Sequence, residues 1–171
     1  MAYVPVTQKF YDNLIKPAHQ GQLYGDKPYT FHLRTVLKTW HSLFEPTYTW
    51  GESEEETKAT IHWCYNAGFA CLAHDYLEDC EGASVELLRE HGCPKEAIEA
   101  VVLVTKTKEK SYKQYLRDIS ENKLAFEVKM ADTYSNLTCS IKEGNLRRMK
   151  RYSLQLALLT KYRETFTLLG E

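Results

Sequence analysis

The sequence predicts an all-α protein that folds as a single compact helical bundle. Apolar residues recur three and four positions apart in successive segments, which is the periodicity of amphipathic helices. A sustained alternation of apolar and polar residues, typical of strands, is absent from the sequence, as is an internal repeat. The 171 residues suffice for one hydrophobic core, so we expect a single domain over residues 1–171.

Glycine, proline and capping residues divide the chain into its predicted helices. The first helix begins near Thr7, and Pro17 is expected to kink or end it. Residues 21–29 form a loop because they contain two glycines and a proline, and residues 44–56 form a second loop that ends in an acidic run. The other stretches with helical spacing or caps are 28–44, 57–79, 85–91, 94–106, 112–119, 123–140 and 145–166.

The charge balance and the cysteines exclude several classes of protein. Lys and Arg total 22 against 23 for Asp and Glu, so no overall field attracts nucleic acid or an anionic membrane. The basic run RRMKR at 147–151 is interpreted as a solvated helix face. The five cysteines form no CxxC pair, and no segment reads as a signal peptide or a membrane span. These features favour a reducing, cytoplasmic setting. They leave open whether the chain forms a homo-oligomer.

The segment LAHDYLEDC brings an imidazole and three carboxylates to the end of an apolar helix. Residues four apart share a helix face, so a continuous helix would place His74 above Glu78 and, likewise, Asp75 above Asp79. Buried charge is costly and carboxylates are disfavoured near a helix C-terminus, and a divalent cation would relieve both penalties. Taken alone, an HD dipeptide more often marks a core histidine followed by solvated carboxylates.

Two other helices carry polar residues among apolar neighbours. Asp132 and Asn136 are four apart in FEVKMADTYSNL, and His32 lies on the inward side of its predicted helix. With His74 and Asp75, this gives two imidazoles and two carboxylates. Such a set suits an octahedral divalent ion of the Mn²⁺ type, with positions left open for water and substrate. Zinc would more often take fewer carboxylates or a thiolate.

The order H…HD…D, with HDYLED and KMADTYSNL, resembles the HD-domain phosphohydrolase superfamily. More narrowly, the chain is similar to the hydrolase domain of RelA/SpoT proteins and to the small alarmone hydrolases. The resemblance extends from AHQGQLYGDKPYTFH through LAHDYLEDC and LVTKTKEKSYKQYL to VKMADTYSNL. It implies an HD-type helical fold with Glu78 and Asp79 as the catalytic carboxylates that orient or deprotonate the attacking water. The residues that the resemblance implies as ligands of Mn²⁺, or of another divalent cation, are His32, His74, Asp75 and Asp132.

The resemblance also implies which residues contact the substrate. Asn136 would contact its ribose or a phosphate, and Lys108 and Tyr152 fall near family positions that touch substrate phosphates. The loop before PY departs from the family, because guanosine-alarmone hydrolases usually carry Arg and Lys there. In this chain Lys27 is the one basic residue of that loop, and Tyr24 can stack on any base.

Four functions follow as alternatives. The first is removal of the 3′-diphosphate from a (p)ppGpp-type alarmone, with a small-molecule nucleotide as the substrate. The second is hydrolysis of another nucleotide phosphate, such as the 2′-phosphate of NADPH, (pp)pApp or a nucleoside phosphate, which the missing basic pair keeps open. A di-iron oxygenase would need additional histidines between HD and the last Asp, where only His91 lies. A non-catalytic nucleotide-binding protein would have lost a ligand or a catalytic carboxylate, and all of these are present.

Overall fold

The computed structural model describes residues 4–44 and 53–168, and over these residues the predicted all-α fold is confirmed. The chain begins with α1 (Val4–Phe10), which continues through a π-helical turn (Tyr11–Ile15) into the short α2 (Lys16–Ala18). The remaining helices are α3 (Tyr29–Leu43), α4 (Glu54–Ala73), α5 (Tyr76–Asp79), α6 (Val85–Glu90), α7 (Lys95–Val104), α8 (Tyr112–Glu121), α9 (Lys123–Lys142) and α10 (Leu146–Leu168).

The predicted loop at 21–29 contains a minimal hairpin. Its strands are β1 (Leu23–Tyr24) and β2 (Lys27–Pro28), which pair antiparallel with Tyr24 opposite Lys27. Gly25, at the turn, has a φ of 64°, in the left-handed region that glycine adopts without a steric penalty. The hairpin leads directly into α3 and packs against it, so Tyr24 lies beside the first turns of that helix.

A capping box starts α4 earlier than the sequence predicts. The Ser53 Oγ accepts a hydrogen bond from the Glu56 backbone N–H at 3.2 Å, and the Glu56 Oε2 accepts one from the Ser53 N–H at 3.1 Å. The acidic run Glu54–Glu56 therefore forms the first turn of the helix, where carboxylates face the positive end of the macrodipole. Residues 45–52 of the predicted loop lie outside the described part of the chain.

The helix predicted over 57–79 is broken near its end. α4 ends at Ala73 with His74 as its C-cap, and Asp75 (φ −101°, ψ 0°) precedes the short helix α5. The prediction that one continuous helix places His74 above Glu78 is therefore wrong. Asp75 and Asp79 still share one helical turn, as predicted, because the backbone N–H of Asp79 donates to the carbonyl oxygen of Asp75 at 2.9 Å. Consecutive residues of a helix point about 100° apart, so the break is what allows His74 and Asp75 to face the same space.

α9 occupies the centre of the bundle. It packs against α3, α4, α7, α8 and α10, and its residues Val128 and Ala131 are fully buried. Trp40 of α3 and Phe69 of α4 are fully buried in the core. Ala70 of α4 is also fully buried, and its small side chain lets the core pack closely there. In the described ranges, we find no helix with the length and apolar character needed to cross a membrane.

Candidate metal centre

Three helices bring the predicted ligands to one place in the core. His32 lies in the first turn of α3, His74 caps α4, and Asp132 lies in the middle of α9. All three side chains are buried, with exposed fractions of 2%, 2% and 6%. One ligand atom of each lies within 4.8 Å of the others, so this group can hold a metal ion.

The ligand atoms face one another across short gaps. The Nε2 of His32 lies 3.3 Å from Oδ1 of Asp132, and the Nε2 of His74 lies 3.7 Å from the same oxygen. Asp75 approaches from the break after α4, with its Oδ2 at 2.9 Å from Nε2 of His74 and 3.7 Å from Nε2 of His32. Two imidazoles and two carboxylates thus converge, as the sequence predicts.

The backbone sets the tautomer of His74. Its Nδ1 lies 2.8 Å from the carbonyl oxygen of Cys71, which can only accept, so Nδ1 carries the proton. In the neutral ring, Nε2 then presents a lone pair, and it has no hydrogen-bond partner among the described residues. Because this lone pair faces the oxygen of Asp75, a positive charge between the two atoms is needed to make the contact favourable.

The pKa values show how strongly the site attracts positive charge. Burial lowers the pKa of His74, but the carboxylates of Asp75 and Asp132 outweigh burial and raise it to about 10. Burial raises the pKa of Asp75, but His74 outweighs it and the pKa falls to about 2. Lys129 and the two histidines likewise hold the pKa of Asp132 well below its usual range, against the effect of burial. A proton or a cation on His74 is therefore favoured at neutral pH.

A second layer of polar residues orients Asp132. Lys129 donates to its Oδ2 at 2.9 Å, and the side-chain amide of Asn136 donates to its Oδ1 at 2.6 Å. The Oδ1 of Asn136 accepts from the hydroxyl of Tyr24 at 2.8 Å. Asn136, predicted as a substrate contact, lies in the cavity wall. Both its amide nitrogen and its amide oxygen already form hydrogen bonds with other residues of the protein.

The hairpin contributes an aromatic wall to the site. Tyr24 stacks on His32 with ring centroids 4.5 Å apart and planes 11° apart, and burial raises the pKa of its hydroxyl. Lys27, also predicted as a substrate contact, is exposed, and its Nζ lies 4.1 Å from the ring centroid of Phe31. Lys27 lines a neighbouring cavity between α3 and α9.

The two predicted catalytic carboxylates point in different directions. Glu78 lies in the cavity wall, and its Oε2 accepts from the backbone N–H of Lys106 at 3.0 Å. Asp79 accepts at its Oδ2 from the hydroxyl of Tyr29 at 3.1 Å. The same hydroxyl lies 2.6 Å from Oδ2 of Asp75, so Asp79 is linked to the ligand set through Tyr29.

A cavity of about 360 Å³ opens over these groups. Its wall contains three carboxylates and three cations, so a bound divalent cation would leave the wall positively charged. An adjoining cavity of about 390 Å³ shares Glu78, Lys129, Arg151 and Gln155 with the first. The charged residues of the first cavity wall are Asp75, Glu78, Asp132, Lys129, Arg148 and Arg151.

Several cavity residues were not singled out from the sequence. Arg148 and Arg151 belong to the basic run at 147–151, which is interpreted from the sequence as a solvated helix face. Arg151 is exposed as that interpretation expects, and both residues also lie in the cavity wall beside Tyr152. Arg148 lies three residues before Arg151 and four before Tyr152, and Arg151 lies four before Gln155, a spacing that places these residues on one helix face. Tyr152, a predicted phosphate contact, is buried in this wall.

The turn between α7 and α8 brings Lys106 to the wall of the adjoining cavity, whereas the resemblance implies Lys108 as the phosphate contact. Lys108 is exposed in this turn. Lys106, two residues earlier, lines the adjoining cavity and lies 5.6 Å from the ring centroid of Tyr112. Tyr115, buried beside it, donates its hydroxyl to the carbonyl of Val104 and so holds this turn against α8.

Comparison with known proteins identifies no family for the chain. No family model matches the sequence, and no curated protein matches it.

Proposed function

We propose that the protein is a metal-dependent hydrolase of a phosphorylated nucleotide, of the HD-domain type to which its motifs are similar. One observation carries the proposal. The Nε2 atoms of His32 and His74 and the carboxylates of Asp75 and Asp132 converge in the wall of a cavity that also contains three cations. A metal site beside cationic side chains suits the hydrolysis of a phosphate ester, because both stabilise the negative charge of the transferring phosphoryl group.

The residues fit a divalent cation of the Mn²⁺ type. His32, His74, Asp75 and Asp132 would hold it, because the buried Nε2 of His74 lacks a hydrogen-bond partner among the described residues and faces a carboxylate. The mixed nitrogen and oxygen set suits Mn²⁺, with another divalent cation as the alternative. When bound, the cation lowers the pKa of water and neutralises phosphate charge.

The protein's own groups would carry the proton and hold the substrate. Glu78, which lies in the cavity wall, would accept the proton of the attacking water as a general base. Asp79, tied to Tyr29, would orient the water or Glu78. Lys129, Arg148 and Arg151 would bind phosphate oxygens, a role in which Arg supplies a planar pair of donors.

The substrate class proposed first is a (p)ppGpp-type alarmone, from which the enzyme would remove the 3′-diphosphate. The adjoining cavity supports a ligand with more than one phosphate group. Its wall contains the positive charges of Lys106 and Arg151 but only one carboxylate, that of Glu78. Another nucleotide phosphate, such as the NADPH 2′-phosphate or (pp)pApp, is the alternative. The hairpin supports this alternative. It presents the aromatic Tyr24 to the site, whereas its one lysine, Lys27, lies over the ring of Phe31.

The same proposal includes a cytoplasmic enzyme without nucleic-acid or membrane partners. All five cysteines are free thiols, in line with a reducing compartment. The basic residues of 147–151 that line the cavity are assigned to a small-molecule phosphate in this proposal.

The test is hydrolysis by the Mn²⁺-loaded protein of a panel containing ppGpp, pppGpp, pppApp, NADPH and ordinary nucleotides, with identification of the products. We expect turnover of at least one multiply phosphorylated nucleotide, and loss of turnover in Glu78→Gln with retained Mn²⁺ binding. Glu99→Gln, at an exposed carboxylate on α7, is the matched control and should keep full activity. A metal-loaded protein that hydrolyses no member of the panel would overturn the proposal.

A further inference from the structure

Tyr29 joins a predicted metal ligand to a predicted catalytic carboxylate. It is the first residue of α3, directly after the hairpin, and it lines the metal cavity. Its hydroxyl lies 2.6 Å from Oδ2 of Asp75 and 3.1 Å from Oδ2 of Asp79. A phenol has one proton to donate, so this hydroxyl is shared by two carboxylates, that of Asp75 at the N-cap of α5 and that of Asp79 at its last residue.

Two residues that precede the hairpin, His19 and Gln22, hold Tyr29 in place, and we call them the platform. His19, which is 2% exposed, stacks on the ring of Tyr29 with centroids 5.0 Å apart and planes 11° apart. The Nδ1 of His19 lies 2.7 Å from Oε1 of Gln22, and its Nε2 lies 3.4 Å from Sγ of Cys80. Both ring nitrogens therefore have partners, and the ring stays in one orientation.

The platform also fixes the backbone that carries Asp79. The side-chain amide of Gln22 donates to the carbonyl oxygen of Asp79 at 2.7 Å, and the backbone N–H of Tyr29 donates to the carbonyl of Gln22 at 2.9 Å. Gln22 thus contacts His19, Tyr29 and the chain at Asp79 at once. The position of Tyr29 relative to Asp79 is set by these contacts and not by the side chain of Asp79 alone.

We propose that Tyr29 is a positioning residue that holds Asp75 toward the metal and Asp79 toward the reaction through its single hydroxyl. Without the hydroxyl, the two carboxylates would lack a shared donor, and their mutual repulsion would turn them apart. The Asp75 part of this inference concerns metal binding alone, and the Asp79 part rests on the proposed hydrolase function. Groups that orient metal ligands typically change metal affinity by about tenfold or more when they are removed.

The first test is Mn²⁺ affinity, measured by the EPR signal of free Mn²⁺ during titration of the metal-free protein. Tyr29→Phe keeps the ring on His19 and removes only the hydroxyl, so we expect affinity to fall about tenfold. Tyr134→Phe is the matched control, since Tyr134 is 46% exposed on α9, and it should bind Mn²⁺ as the wild type does. Unchanged affinity in Tyr29→Phe would overturn the role at Asp75.

A second variant tests the platform, and two further measurements check that each variant is folded. His19→Leu leaves the hydroxyl of Tyr29 in place and removes the stacked ring, and we expect it to weaken Mn²⁺ binding in the same direction but less. Far-UV circular dichroism and the urea midpoint report whether each variant is folded. A folded His19→Leu protein with full affinity would show that the platform does not position Tyr29.

The second test is a double-mutant cycle in which kcat and KM are measured at saturating Mn²⁺. The substrate is the nucleotide that the panel experiment identifies. Tyr29→Phe should lower kcat about tenfold with little change in KM, because an oriented carboxylate matters in the transition state. If Tyr29 acts through Asp79, Tyr29→Phe with Asp79→Asn should lose no more than the larger single variant. Losses that multiply would contradict this link. If no phosphate is hydrolysed at all, the proposed function fails while the Mn²⁺ titration still decides the role at Asp75.

Discussion

At the residue scale, a proton and a metal ion compete for the same atom of His74. Its Nδ1 is committed to the carbonyl of Cys71, and its Nε2 faces Asp75 and Asp132. The raised pKa of about 10 means that metal-free His74 holds a proton at neutral pH. Metal binding must displace this proton, so it should release protons and weaken as the pH falls.

The same pKa predicts how the stability of the metal-free protein depends on pH. Because the folded pKa of His74 is raised to about 10 from 6.5, its stabilisation is complete below pH 6.5 and is lost as the pH rises toward 10. We expect the free energy of unfolding to fall by about 3 kcal/mol between pH 7 and 9.5. Urea denaturation with EDTA measures it, and His74→Gln should flatten the dependence. A wild-type protein equally stable at both pH values would contradict this account.

At the element scale, α4 joins a strong N-terminal cap to a break that serves the site. The capping box of Ser53 and Glu56 fixes the start of the helix, and the break after Ala73 turns His74 and Asp75 inward. The two ends are about 30 Å apart along the helix axis. A change at the N-terminal cap should therefore alter stability without altering metal binding at the other end.

Removal of the cap tests this separation. Ser53→Ala should lower the free energy of unfolding by about 1 kcal/mol, because the backbone N–H of Glu56 loses its acceptor. Ser42→Ala, where an exposed hydroxyl bonds a carbonyl within α3, should change it by less than about 0.5 kcal/mol. Chemical denaturation measures both, and Mn²⁺ affinity should be unchanged in each. A loss of affinity in Ser53→Ala would show that the two ends of α4 are coupled.

At the scale of the whole molecule, the candidate metal centre links α3, α4 and α9 in the interior of the bundle. An ion bound by groups from three helices binds the folded state and not the unfolded chain, so it should stabilise the fold by mass action. The site is thus expected to contribute to stability as well as to chemistry.

This stabilisation can be measured by thermal unfolding. At a Mn²⁺ concentration one hundred times the dissociation constant, the gain is about 2.7 kcal/mol, or roughly 5–10 °C in Tm for a chain of this size. EDTA should reverse the gain, and Asp132→Asn should abolish it. Glu99→Ala, an exposed carboxylate on α7, should retain it. An unchanged Tm with Mn²⁺, Fe²⁺, Zn²⁺ and Mg²⁺ would argue against a metal centre.

The helices and the convergence of the four predicted ligands could be read from the chain, whereas much of the cavity wall could not. Helical spacing and caps depend on neighbours three or four residues away, so they are visible in sequence. Tyr29 looked like part of a loop motif, and Arg148 and Arg151 like a solvated face. The contact between Tyr29 and Asp75 joins residues 46 positions apart in the chain, and no local pattern encodes such a distance.

The sequence by itself determined the all-α fold and the set of polar residues that had to be explained inside it. Only the tertiary structure decided that α4 breaks at His74 and Asp75, and that Glu78 faces the cavity while Asp79 faces Tyr29. The physical reason is that helix formation depends on local backbone hydrogen bonds. Side-chain direction at a break depends on which partners the packed helices bring within reach, and burial then requires each polar group to find one.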